Sequence, residues 1–156
     1  MSNNPTHVKL YIGKQFHKML KEVAENYEEW GVEDWYNHSS NRLAMGVDMD
    51  RELKALVLSK AWRMKLTGAK RGKTFYRWRK VTIPTWSIAT GRDHSLYYML
   101  HELAHVVTIG HGHDEEFRRV EDKLLAVYGI TIVRRAKSPY PKTISMNGEV
   151  IHEDVR

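Results

Sequence analysis

The chain has 156 residues, a net charge of +6, a sequence pI of about 9.5 and no cysteine, which excludes disulfides and every thiolate metal site. A chain of this length fits one domain that buries roughly 70% of its unfolded surface and needs no covalent staple. No apolar run approaches the ~20 residues of a membrane-spanning helix, and Met1 to Pro5 lacks the basic-then-apolar pattern of a signal peptide, so the expectation is a soluble, cytoplasmic protein with no membrane partner.

From about Val8 to Trp30, apolar residues recur at helical spacing: Val8, Ile12, Phe16, Met19, Leu20, Val23 and Tyr27, with Gly31 as a stop. Glu33 to Asp48, rich in Asn, Ser and Gly, reads as a loop. Asp50 can cap a second helix through Leu53, Leu56, Val57 and Lys60. Between residues 60 and 80 the basic residues crowd together: Lys60, Arg63, Lys65, Lys70, Arg71, Lys73, Arg77, Arg79 and Lys80. A solvated surface accounts for such a run, while the interleaved Trp62, Phe75, Tyr76 and Trp78 make nucleic acid a second candidate partner. Gly68 to Gly72 reads as a basic turn. Thr74 to Ile83 reads as one long strand or a bent pair, with Pro84 at a strand end or sheet edge.

Asp93 or Ser95 can cap a helix that carries Leu96, Leu100, Leu103 and Val107 and stops near Gly110. A last helix starts at Asp114, where Asp114, Glu115 and Glu116 complement its positive end. Phe117, Val120, Leu124 and Tyr128 line one face, and Gly129 ends it. Ile130 to Val133 alternates as a short strand. This reading divides the chain into one domain over 1–137 and a loosely held tail over 138–156, with Asn147-Gly148 as a hairpin turn.

The first of these two helices contains His101-Glu102-Leu103-Ala104-His105. Histidines four apart lie one above the other on a helix face, so two imidazoles reach one ion. Glu102, beside the first, is placed to take a proton from water activated there. With 9 His in the chain, chance produces this pattern in roughly a few per cent of shuffled sequences. The amphipathic helix and the two further histidines just after it argue against chance. A catalytic zinc ion (Zn2+) takes three protein ligands and leaves a position open. His113 is favoured as the third because it opens the last helix, whereas His111 sits between Gly110 and Gly112. Glu115, Glu116 and Glu121 are carboxylate alternatives. His94, near the helix start, is a weaker candidate still. Tyr97, Tyr98, His111, Arg118 and Tyr140 are candidates for stabilising an oxyanion, and none stands out.

The stretch from Val81 to Leu125 resembles the SprT-like zinc metallopeptidases. It carries an Ile83-Pro84-x-Trp86 segment, His-Glu-Leu-Ala-His, and then His113-Asp114-x-x-Phe117. In that family the third histidine is followed four residues on by Phe or Trp, and His113 with Phe117 matches where His111 does not. The resemblance is closer still to a group of short metallohydrolases of actinobacteria and their phages. It covers about the last half of the chain. Several SprT-like members cleave proteins attached to DNA, and many carry a zinc ribbon that a chain without cysteine lacks.

The expected fold is α+β and zincin-like: a small twisted sheet packed by helices, with the His-Glu-x-x-His helix and the next helix closing the site. The expected function is a zinc metallopeptidase with metal ligands His101, His105 and His113, Glu102 as general base, and a protein or peptide substrate lying along the sheet edge near Val81 to Ile83. The alternatives are a metal-binding nucleic-acid module, through residues 60–80, and a non-catalytic zincin scaffold for protein contacts.

Overall fold

The structure, a computed structural model, describes residues 5–26, 29–30, 62–75, 78–89, 92–108, 112–138 and 140–153. The loop expected over 33–48, the helix expected from Asp50, and His111 lie outside the described residues. The architecture is mixed α+β, with helices packed against small sheets.

Helix α1 spans Pro5–Asn26. Its Phe16, Met19, Leu20 and Val23 are buried, the i, i+3, i+4, i+7 stripe of a helix with one face on a core. The Tyr128 hydroxyl donates to Glu22 Oε2 at 2.7 Å and fastens this helix to the C-terminal half.

The first sheet contains β1 (Arg63–Thr67), β2 (Lys73–Phe75) and β3 (Lys80–Pro84) in the order β1-β3-β2. The stretch expected as one strand or a bent pair is the pair β2 and β3, antiparallel, with Lys73 opposite Thr82. Strand β1 was not anticipated; it runs parallel to β3 from Arg63↔Lys80 to Thr67↔Pro84. Val81 and Ile83 are therefore on the central strand of the described sheet, not on an edge strand as expected for a docked substrate. The edges are β1 and β2. Pro84 stands at the strand end, where its missing N–H breaks no internal ladder.

A short helix α2 (Thr85–Ala89) leads into α3 (Arg92–Val107), which packs on β3. Helix α4 (Glu115–Val127) begins where expected: the Asp114 carboxylate accepts from the Phe117 N–H at 3.0 Å. It packs on α3 and on β4 (Ile130–Arg134). The segment expected as a loosely held tail contains two paired strands, β5 (Pro141–Met146) and β6 (Glu149–Glu153), forming the antiparallel sheet β4-β5-β6. Asn147 and Gly148 have φ of 51° and 84°, as a two-residue hairpin turn requires. Ile144 of β5 is fully buried, and its burial joins this hairpin to the core. None of the described helices is long and apolar enough to cross a membrane.

Candidate metal centre

His101, Glu102 and His105 stand on α3, and His113 lies just before the Asp114 cap of α4. The packing of α3 on α4 brings the three imidazoles together, with one ligand nitrogen from each within 4.8 Å of the others. His113 Nε2 lies 3.0 Å from His105 Nε2 and 3.4 Å from His101 Nε2. Two donors of a tetrahedral zinc site are separated by about 3.3 Å, given Zn–N bonds of about 2.0–2.1 Å. The spacing fits.

Phe117 is the common wall. Its ring stacks on His105 at 4.2 Å and meets His101 and His113 edge-on at 5.2 Å and 5.1 Å. A buried aromatic one helical turn beyond the cap thus limits the rotamers of all three imidazoles, a physical reason for a His-x-x-x-Phe spacing.

The electrostatics suit a cation. Burial, and after it the charges of His101 and His113, push His105 down to about 3. Burial and then His101 push His113 down as well. Both rings are neutral at ordinary pH, with lone pairs available to a metal. Burial would also lower His101, but the Glu121 hydrogen bond and the charges of Glu121 and Glu102 outweigh it and raise it. Glu121 meets His101 at Nδ1, the nitrogen turned away from the other two histidines. Burial would raise the Glu121 carboxyl, but His101 and Arg134 together hold it below its ordinary value; Arg134 Nη2 donates to Glu121 Oε1 at 2.6 Å. Glu121, one of the carboxylates weighed as a third ligand, instead pairs with His101 at Nδ1. Glu115 is exposed, and Glu116 pairs with Arg119 at 2.6 Å.

Glu102 is 1% exposed and lies on the wall of an open cleft of about 480 Å³, shared with His105, His113, Tyr140, Thr74 and Arg71. The Thr74 hydroxyl donates to Glu102 Oε2 at 2.8 Å. Burial, offset in part by His101 and Thr74, raises the Glu102 carboxyl. Gly72 completes this corner: a Cβ there would run into the Thr82 carbonyl and lie 3.3 Å from Glu102 Oε1. His94 packs between Trp86 and Tyr98, at 5.1 Å and 5.4 Å, and is not in the cluster.

Sequence reasoning missed Thr74, Gly72 and the Arg134–Glu121 ion pair. A signal existed for the last. In α4 the buried face is Phe117, Val120, Glu121 and Leu124; in β4 the inward alternation is Ile130, Ile132 and Arg134. Opposite charges in two apolar stripes point to a buried pair. Set against protein-family models, curated proteins and solved structures, the chain matches none.

Proposed function

We propose that this chain is a zinc-dependent hydrolase of the zincin type, a metallopeptidase in which Glu102 is the general base, in keeping with its resemblance to the SprT-like enzymes. The observation that carries this reading is the meeting of the His101, His105 and His113 Nε2 atoms beside a cleft that Glu102 also lines. Three imidazoles with no thiolate form a donor set suited to zinc, and the cleft beside them would leave such an ion accessible to water and substrate, as a catalytic rather than a structural ion requires. When bound, zinc supplies Lewis-acid polarisation of the scissile carbonyl and brings the pKa of water down to about 7.

The protein's own contribution centres on Glu102. Thr74 holds Oε2, so Oε1 is the oxygen that takes a proton from the attacking water and delivers it to the leaving amine nitrogen. Gly72 keeps side-chain atoms away from Oε1. Burial raises the Glu102 carboxyl above its ordinary value, which makes it a stronger base. A non-catalytic scaffold has no use for a carboxylate kept 1% exposed beside the cluster at a cost in desolvation.

The test is Glu102→Gln, with metal content measured on the pure protein and proteolysis of a mixed peptide pool. The variant is expected to keep zinc and lose at least about a hundredfold in hydrolysis. Full activity in a metal-loaded Glu102→Gln protein would exclude this mechanism.

A further inference from the structure

Hydrolysis of an amide needs more than a base. The carbonyl oxygen acquires negative charge as the carbon becomes tetrahedral, and a fixed hydrogen-bond donor aimed at that oxygen lowers the barrier. The sequence offered five candidates, and the structure places four of them. Tyr97 and Tyr98 are fully buried, Arg118 is on the exposed side of α4, and His111 lies outside the described residues. Tyr140 lines the cleft together with Glu102, His105 and His113.

We infer that Tyr140 is a catalytic residue that donates a hydrogen bond from its phenol to the scissile carbonyl oxygen as that oxygen gains charge. The inference rests on the metallopeptidase reading above and adds to it the donor that reading lacks. No proton changes hands: the phenol keeps its hydrogen, and only the strength of the bond changes between substrate and transition state.

The side chain is built for a fixed aim. Its ring stacks on the His101 imidazole, with centroids 5.1 Å apart and planes 28° from parallel, and touches His113 at 5.9 Å. The Arg71 guanidinium carbon lies 3.9 Å from the ring centroid, a cation–π contact. Arg71 is in turn tied to α3 through a side-chain hydrogen bond with Tyr98. A ring held by a ligand imidazole and an anchored guanidinium has few rotamers left, and a preorganised donor spends little reorganisation at the moment of reaction. The backbone is fixed too: the Tyr140 N–H donates to Ser138 Oγ at 3.2 Å, the Tyr140 carbonyl accepts from Arg135, and β5 begins at the next residue. Glu102 and Tyr140 thus approach the cleft from different segments, α3 and the residue just before β5, as a base and an oxyanion donor must if the carbonyl lies between them.

Tyr140→Phe isolates the hydroxyl, because phenylalanine keeps the ring that packs on His101 and under Arg71. The expected result is a kcat lower by about 10²–10³-fold with KM changed little, and zinc affinity unaltered. A readout independent of turnover is the affinity of a peptide phosphonate, whose tetrahedral oxyanion imitates the transition state. By calorimetry on zinc-loaded protein, the phosphonate should bind Tyr140→Phe about a hundredfold more weakly, while a peptide of the same sequence with an uncleavable amide isostere binds equally. Undiminished kcat and phosphonate affinity in the variant would overturn the assignment of Tyr140 and leave Glu102 and the histidines standing. Wild-type protein that takes up zinc and cleaves no peptide would overturn both readings.

Discussion

His101 presents its two ring nitrogens to different partners, Nε2 to His113 and Nδ1 to Glu121. A carboxylate on Nδ1 can only accept, so it fixes the tautomer that frees Nε2 for a metal and makes the ring more basic. Glu121→Gln removes that charge. Zinc affinity is expected to fall about 10–100-fold, with the circular dichroism spectrum unchanged. The pH profile should move as well. Glu121 is what lifts His101 against the opposing effect of burial, so in the wild type a proton on His101 competes with the metal once pH falls through that raised value. His105, held down at about 3, and His113, also lowered, stay neutral in this window. With glutamine at 121 burial dominates, and the loss of zinc binding shifts to lower pH. Identical affinity and an identical profile in the two proteins would show that Glu121 does not act on His101.

At the scale of elements, the first sheet gives the basic segment a shape. Lys65 of β1, Lys73 and Phe75 of β2 and Lys80 of β3 line a second cleft of about 410 Å³, and Arg71 and Lys73 line both clefts. Trp78 beside it is 60% exposed. Cationic strands with an adjacent aromatic surface suit a single-stranded polyanion, and we propose that single-stranded nucleic acid binds here. Log affinity should fall linearly with log salt, and Lys65→Glu with Lys80→Glu should flatten the slope by about 1.4 if each lysine meets one phosphate. Those positions leave Arg71 and its contact with Tyr140 alone. No binding at low salt would leave a solvated surface. Strand β1 itself escaped sequence reading for a related reason. Met64 and Leu66 do alternate with Arg63, Lys65 and Thr67, but the charges dominate the pattern, and the partner strand β3 begins 17 residues later at Lys80.

For the molecule as a whole, the cluster joins α3 to the segment that opens α4 and, through Glu121–Arg134 and Tyr140, to the C-terminal sheet. An unfolded chain holds no such arrangement, so a metal that binds the folded state alone stabilises it. Zinc at a hundred times its Kd should add about 2.7 kcal/mol, which raises Tm by roughly 5–10 °C in a protein of this size. A chelator should reverse the shift. His113→Ala should lose it, and His111→Ala, whose imidazole is not needed for the triad, should keep it. Melting curves of the three proteins with zinc and with chelator decide the matter; a full zinc shift in His113→Ala would refute its place among the ligands.

Local chemistry was legible in the sequence wherever partners lie within a turn or two of one another. The four-residue spacing of His101 and His105, the helix start around the acidic Asp114 to Glu116, the Phe117 face and the Asn147-Gly148 turn depend on helix period, the charge at a helix end and φ alone. Thr74 and Glu102 stand 28 residues apart in the chain, and Arg134 and Glu121 13 apart. No periodicity encodes such pairs. The short α2 carries too few residues for a pattern to accumulate, the apolar residues of β5 and β6 do not alternate cleanly along either strand, and only packing shows that Ile144 is core. Sequence alone could place the candidate ligands and the base on one helix and the start of the next. Which side chains touch Glu102, pair with His101 and line the cleft was decided by how the strands pair and the helices pack, because those contacts are non-local.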